Sequence, residues 1–390
     1  MPKSTRNSKK YIYLDYAASV KANPSSVHDE GVKAKKQLQN ARSVVAVILG
    51  ARPEEIIFTS GGTESNNLAI QGVVFARRGR GLPHIITTNI EHPSVLETFQ
   101  MLRDRKLAQI SIVKIEANGI VDPKKIRKEI KKNTVLVSVH YANNEIGTIQ
   151  PIKEIAKEIR HYKKSQKGLL PFFHTDAVQA ANYLDLNVNQ LGIDLLSISG
   201  SKIEGAGRVG VLYKKKSVSL TNIFGGGDQE MGLRPGTENL PEILKFSAAL
   251  QLVQKIKDQE AKKLTKLRDY FFHKLNHSDI LENTRIVVNG DLKNRLPNNI
   301  NITIPNIPSE LLVIELSALG IMASAKSACK AGDGKVSYVI KAINKNIKET
   351  DGSLRFSLGR QTNKKDIDYT IKALSEILTK LKKWYIPTPA

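Results

Sequence analysis

Pro171-Phe172-Phe173-His174-Thr175-Asp176-Ala177-Val178-Gln179, followed by Leu195-Leu196-Ser197-Ile198-Ser199-Gly200-Ser201-Lys202, decides the fold. Each run opens on apolar residues and ends in polar side chains able to do chemistry. A nearly continuous apolar run of this length suits a strand buried on both faces. Comparable runs lie at 55–59, 84–88, 109–115, 134–140 and 209–214. Helical patterns fall between them, at about 28–49 (stopped by Gly50), 64–76, 93–106, 123–132 and 151–164. Strands separated by helices predict parallel pairing through crossover helices, and so an α/β fold with a mostly parallel central sheet covered on both faces.

The pattern changes after Glu238-Asn239-Leu240-Pro241. One long helical stretch, 242–275, leads into shorter mixed elements: strands near 284–289, 299–304 and 353–358, and helices near 309–319 and 365–384. The reading is a flexible basic tail at 1–12, a large α/β domain at 13–255, and a smaller α+β domain at 256–390. No internal repeat is present.

Composition narrows the function classes. The chain has 390 residues, 41% of them hydrophobic and 25% charged, and no apolar run long enough to cross a bilayer. One cysteine rules out an intramolecular disulfide and a Cys-rich zinc site, and the eight histidines are scattered, so no metal is expected. Met1 to Lys10 is basic but has no apolar stretch, unlike a secretory signal, and a cytoplasmic enzyme is expected. The net charge of +23 is spread over runs such as Lys124–Lys132, Lys163–Lys167 and Lys262–Arg268, largely without interleaved Tyr or Phe. That is a solvated basic surface; direct nucleic-acid binding is not favoured.

In open α/β sheets, ligands bind beyond the carboxyl ends of strands. Here those ends are Thr59-Ser60-Gly61-Gly62-Thr63-Glu64, Glu91-His92, Tyr141-Ala142-Asn143-Asn144-Glu145, His174 to Gln179, and Ser199 to Lys202. Gly61-Gly62-Thr63 opens a helix and can cradle a phosphate with backbone N–H groups. Asp176 can hold a proton on a ring nitrogen, and Lys202 can form a Schiff base with an aldehyde. Taken singly, Asp176 reads as a helix cap, His92 as an ordinary histidine and Lys202 as a solvated strand end. Together, a phosphate, a protonated pyridine and an imine describe pyridoxal 5'-phosphate. Gly205-Ala206-Gly207-Arg208-Val209-Gly210 matches a dinucleotide fingerprint by letter, but it leads into the strand-like Val211-Leu212-Tyr213 instead of a helix, so a nicotinamide or flavin site is rejected. Cys329 sits in Ser324-Ala325-Lys326-Ser327-Ala328-Cys329-Lys330-Ala331-Gly332-Asp333-Gly334, a soft polar stretch where a thiol can reach solvent and ionise.

With these residues assembled, the chain resembles the cysteine desulfurases of the class V aminotransferase group, which serve iron-sulfur cluster assembly and RNA thiolation. The resemblance runs from Tyr13-Leu14-Asp15-Tyr16 to about Leu381. It is carried by Asn23 to His28, Thr59 to Asn67, Glu91-His92, Asn143 to Gly147, Asp176 to Gln179, Lys202, Gly225 to Asn239, Ser327-Ala328-Cys329, and Leu354 to Arg360. It implies a fold type I pyridoxal-phosphate enzyme in which Lys202 carries the cofactor and shuttles protons. Asp176 would pair with the pyridine nitrogen, Gln179 with the phenolic oxygen, and His92 would stack on the ring. Gly62, Thr63, Ser199 and Ser201 would surround the phosphate. Thr237 would reach the phosphate of the other subunit, which implies a homodimer. Asn144 and Arg355 would hold the carboxylate of L-cysteine, while Cys329 would take its sulfur as a persulfide and release alanine. The acceptor would be a protein such as an iron-sulfur scaffold or a tRNA-thiolation factor.

Three features depart from the group's pattern. Ser201 stands where most relatives have His before the lysine, Glu204 to Gly210 replaces a Gly-Pro-Lys-Gly form, and the chain is shorter between Asp15 and Asn23. Two other functions fit the same residues: a selenocysteine lyase or other class V lyase or aminotransferase, and a degenerate basic scaffold for tRNA or an assembly partner.

Overall fold

The computed structural model describes residues 12–20, 22–77, 79, 81–277, 284–325 and 336–385. Cys329, with its neighbours Lys326 and Lys330, lies outside the described residues, as does nearly all of the basic tail.

Seven strands form the large sheet: β1 (Ile56–Thr59), β2 (His84–Thr88), β3 (Gln109–Val113), β4 (Thr134–Ser138), β5 (Phe172–Asp176), β6 (Leu195–Ser199) and β7 (Gly210–Lys214). Their spatial order is β1-β7-β6-β5-β4-β2-β3. Pairing is parallel from β3 through β6, as the alternation of strands and helices predicts. The expectation of crossover pairing fails at β7, which runs antiparallel to both β6 and β1. The cause is length: only Gly200 to Val209 joins β6 to β7, too little for the dozen or more residues of a parallel crossover. β1 and β6 are both antiparallel to β7, so their carboxyl ends fall on the same edge, and Thr59 and Ser199 share Gly210 as register partner. Gly210 has to be small, because a Cβ there would lie 2.5 Å from the Gly61 backbone.

The helices of this part are α1 (Asp29–Leu49), α2 (Gly62–Phe75), α3 (Pro93–Asp104), α4 (Pro123–Glu129), α5 (Ile152–Ser165) and α6 (Val188–Leu191). They cover the sheet with two apolar layers. One is built around Val45, Leu49, Val137, Phe173 and Ile198, the other around Leu68, Val73, Phe99 and Leu136. Strands β2, β4, β5 and β6 are buried at every position, which accounts for their unbroken apolar runs.

Helix α7 (Leu240–Asn276) leaves this core. Its residues Ile243 to Val253 pack on the large sheet, whereas Leu264 to Leu275 join a separate apolar cluster. That second cluster contains the antiparallel sheet β10-β9-β8, made of β8 (Val287–Val288), β9 (Asn299–Ile304) and β10 (Gly352–Ser357), with α8 (Ser309–Ala318) and the terminal helix α10 (Lys364–Tyr385). The strand expected over 284–289 contracts to two residues. One element was not foreseen: α9 (Tyr338–Ile343) follows the cysteine segment in sequence yet packs Val339 and Ile340 into the large core. No helix among the described residues is long and apolar enough to cross a membrane, and no His/Cys/Asp/Glu cluster among them suits a metal.

Candidate active site

A cavity of about 520 Å³ opens at the carboxyl edge of the large sheet and extends to the antiparallel sheet. Gly62, Thr63, His92, Asn144, Asp176, Gln179, Ser199, Ser201, Lys202 and Arg355 all line it. Of the other two residues expected there, Thr237 is exposed and does not line this chain's own cavity, and Cys329 lies outside the described residues.

At one end, Gly61 caps α2 without any side-chain cap, leaving the first backbone N–H groups of a fourteen-residue helix facing the cavity. Ser199 and Ser201 bring hydroxyls to the same place, their Oγ atoms 3.0 Å apart. Gly62 is packed tightly, since a Cβ would come within 2.8 Å of Val178 Cγ2. This end is a donor-rich cradle for a phosphate.

Beyond it lies Asp176, buried at the end of β5. Its Oδ1 accepts from the Val178 N–H at 3.0 Å and its Oδ2 from Asn66 Nδ2 at 2.7 Å. Together the two hydrogen bonds fix its orientation. His92 caps α3 with its own ring: Nδ1 takes the Ser94 N–H at 3.1 Å and meets Ser94 Oγ at 2.8 Å. Burial holds the His92 imidazole below the usual histidine range; Asp176 opposes that depression and Lys202 adds to it. Lys202 follows directly from β6, and its carbonyl accepts from Asn182 Nδ2 at 2.7 Å, which fixes the backbone from which the amine projects. It is the only lysine among the described lining residues.

The opposite wall comes from the antiparallel sheet. Arg355 of β10 donates from Nη1 to the Asn144 carbonyl at 3.0 Å, while its Nε is buried with no hydrogen-bond partner. Burial pulls its guanidinium below the usual arginine range, and Glu145 opposes this. A guanidinium with unused buried donors in a cavity is suited to a carboxylate. Arg360 also lines the cavity, contacting Glu260 at 3.0 Å and Glu204 at 3.8 Å.

Several lining residues escaped the sequence reading, among them Asn66, Ser94 and His140. Asn66 and Ser94 lie inside helical runs, and His140 follows β4. Their signal was a polar residue at a buried position of an apolar pattern. Asn66 and His140 are nearly fully buried, with Asn66 Oδ1 and His140 Nε2 unpartnered. Buried polar atoms of this kind are ordinarily paired, so they point to a polar occupant of the cavity.

The residues therefore fit pyridoxal phosphate: an uncapped helix start with two hydroxyls for the phosphate, a buried hydrogen-bonded carboxylate for the ring nitrogen, and a single lysine for the aldehyde. Fold and site together define a pyridoxal-phosphate-dependent enzyme of the two-part α/β type. The aminotransferase class-V family model matches residues 2–370, and the chain belongs to that family. It is similar to cysteine desulfurase IscS of Dictyoglomus turgidum, 40% identical over 96% of each chain. Cysteine desulfurase IscS of Methanosarcina thermophila is likewise 40% identical, over 96% of this chain and 90% of the relative. Among solved structures, a NifS-like protein superposes with a TM-score of 0.83 at 33% identity, covering 92% of each chain.

Proposed function

We propose that this chain is a pyridoxal-phosphate-dependent cysteine desulfurase that takes sulfur from L-cysteine, leaves L-alanine, and carries the sulfur as a persulfide on Cys329. The observation that supports it most is one cavity holding both a cofactor cradle (Gly62, Thr63, Asp176, Ser199, Ser201, Lys202) and a carboxylate clamp (Asn144, Arg355), in a chain similar over nearly its whole length to enzymes of that activity.

When bound, pyridoxal phosphate supplies an aldehyde for the substrate amine and an electron sink for negative charge at the substrate Cα. The chain's own residues do the rest. The α2 N-terminus and the serine hydroxyls would hold the phosphate, Asp176 would keep a proton on the ring nitrogen, and Gln179 would serve the phenolic oxygen. Arg355 holds the substrate carboxylate and so fixes which Cα bond is aligned. Lys202 would move protons to and from Cα, and His92, whose burial disfavours the charged imidazole, would cover the ring. The Cys329 thiolate attacks the substrate sulfur, so an S–S bond forms as the C–S bond breaks. The electron pair of the broken bond stays on carbon, which takes a proton to become the alanine methyl group.

Transfer then requires an acceptor, which we place in iron-sulfur cluster assembly or tRNA thiolation. A persulfide carrier with one cysteine suits the reducing cytoplasm. A homodimer is the working assembly in this reading. Phe224 and Met231, on the segment leading to Thr237, are large apolar side chains left about half exposed, as are Leu14, Val20 and Val27 to a greater degree.

The experiment is anaerobic incubation of the holoenzyme with L-cysteine, measuring alanine and the mass of the Cys329 peptide. Alanine together with one added sulfur on that peptide is expected. Alanine formation that survives Cys329→Ser would favour a selenocysteine lyase or another class V lyase, and absence of a cofactor chromophore would favour a degenerate scaffold.

A further inference from the structure

The chain enters and leaves the segment 326–335 at points fixed on the substrate clamp. On the entry side, Ser324 bridges to Arg355: the Arg355 N–H donates to the Ser324 carbonyl at 2.7 Å and the Ser324 N–H to the Arg355 carbonyl at 3.1 Å. Ser353 Oγ adds a bond to the Ala325 carbonyl at 2.9 Å. On the exit side, Ser337 Oγ donates to the Glu145 carboxylate, and Tyr338 donates from its hydroxyl to the Glu91 carbonyl at 2.6 Å. Glu145 adjoins Asn144, and Glu91 adjoins His92.

Glu145 is 2% exposed and Ser337 5%. A carboxylate buried so deeply requires partners, and a hydroxyl committed to it is a strong constraint. The backbone of Glu145 is fixed as well. Its N–H donates to Asn143 Oδ1 at 2.8 Å, and its carbonyl accepts from Asn299 Nδ2 at 3.0 Å and Asn301 Nδ2 at 3.1 Å. Glu145 therefore joins the turn carrying Asn144, the strand beside Arg355 and the exit of the cysteine segment.

We propose that Glu145 and Ser337 are positioning residues for the sulfur-transfer step: their hydrogen bond fixes the exit of the Cys329 segment on the turn that carries Asn144. This rests on the desulfurase reading. The bond sets where the chain resumes after that segment, so releasing it should lower the effective concentration of Cys329 at the substrate sulfur. The Arg355–Asn144 bond does not use Ser337, so that release is expected to reach the transfer step more than substrate binding.

Ser337 has a second task, capping α9 by accepting the Val339 N–H at 3.1 Å and the Ile340 N–H at 3.4 Å. Two substitutions separate the tasks. Ser337→Asp still caps the helix but sets a carboxylate against Glu145, whereas Ser337→Thr keeps both functions. The test is single-turnover persulfide formation on Cys329 in the reconstituted full chain, with kcat, KM and cofactor content alongside. Ser337→Ala and Ser337→Asp should both slow persulfide formation about tenfold, while KM for L-cysteine stays within about twofold and cofactor content is unchanged. Ser337→Thr should match the parent. The proposal is overturned if Ser337→Asp matches the parent, since capping would then be the whole role, or if KM and cofactor content change together with the rate. A parent enzyme that forms no persulfide on Cys329 would instead remove the desulfurase reading.

Discussion

Asn66 Nδ2 donates to Asp176 Oδ2 at 2.7 Å, joining the helix proposed to hold the phosphate to the carboxylate proposed for the ring nitrogen. The same amide group reaches Ser94 Oγ at 2.9 Å, and Ser94 in turn holds His92. Three groups proposed to serve different parts of one cofactor are thus held by a single buried asparagine. Their relative positions are fixed before the cofactor arrives, which lowers the ordering cost of binding.

Asn66→Ala should therefore weaken cofactor binding without disturbing Lys202. A hydrogen bond to a charged group contributes about 1.5–3 kcal/mol, so affinity should fall about tenfold or more. Asn66→Asp should be worse, because it places a second carboxylate against Asp176. An absorbance titration of the apoenzyme with pyridoxal phosphate checks both, and equal affinity in all three proteins would show that Asn66 only fills space.

Ser201 presents a neutral hydroxyl 3.0 Å from Ser199 Oγ, at the position where the resemblance implies a histidine. A ring able to take a positive charge would add attraction to a phosphate that the hydroxyl lacks. Ser201→His should retain cofactor more tightly on dialysis, with the gain greatest at mildly acidic pH. Retention equal to that of the parent at every pH would count against this account.

The strand ends were legible because Asp176, Ser199 and Lys202 each follow directly on a buried apolar run. The antiparallel β7 was hidden behind the habit of alternation, although the short link from Ser199 to Gly210 already excluded a crossover. Arg355 could not be found from pattern alone: an arginine on a half-buried strand reads as a solvated position, and only the resemblance singled it out. Asn66 and His140 gave a weak signal because their partners come from distant segments. No local pattern records that Asn66 will meet Asp176 or that His140 Nδ1 will lie 3.0 Å from Glu91.

His174 imposes a pH dependence on stability. It is fully buried between Ser138 Oγ at 2.8 Å and Ser197 Oγ at 3.0 Å, and burial pushes its imidazole down to about 4. The folded state thus prefers the neutral ring. Its stabilising effect is complete above the ordinary histidine value of about 6.5 and is lost as pH falls from there towards about 4. At pH 5 the loss should be about 2 kcal/mol. His84, also pushed down to about 4 by burial, acts in the same direction. Urea denaturation at pH 7 and pH 5 should show a smaller drop in His174→Gln than in the parent. An identical drop would mean that other groups govern the acid limb.

Thr237 is exposed, outside its own chain's cavity, and follows a turn pinned by a buried ion pair. Arg42 contacts Glu230 at 2.6 Å, and Glu230 also accepts the Phe58 N–H at 2.8 Å while holding a left-handed backbone at φ 46°. So firm a support for an exposed threonine makes sense if a second subunit uses it. In a twofold dimer each residue of the interface serves the partner reciprocally. Lys202→Ala and Thr237→Ala homodimers should each be defective, the first in chemistry and the second in cofactor affinity. In the mixed dimer, one site collects both substitutions while the other keeps Lys202 and receives an intact Thr237. Refolding the two variants together should therefore recover sites with parental kcat and cofactor affinity. If Thr237 acted within its own chain, no site of the mixed dimer would be whole, and activity assayed at limiting cofactor would stay at the level of the separate variants.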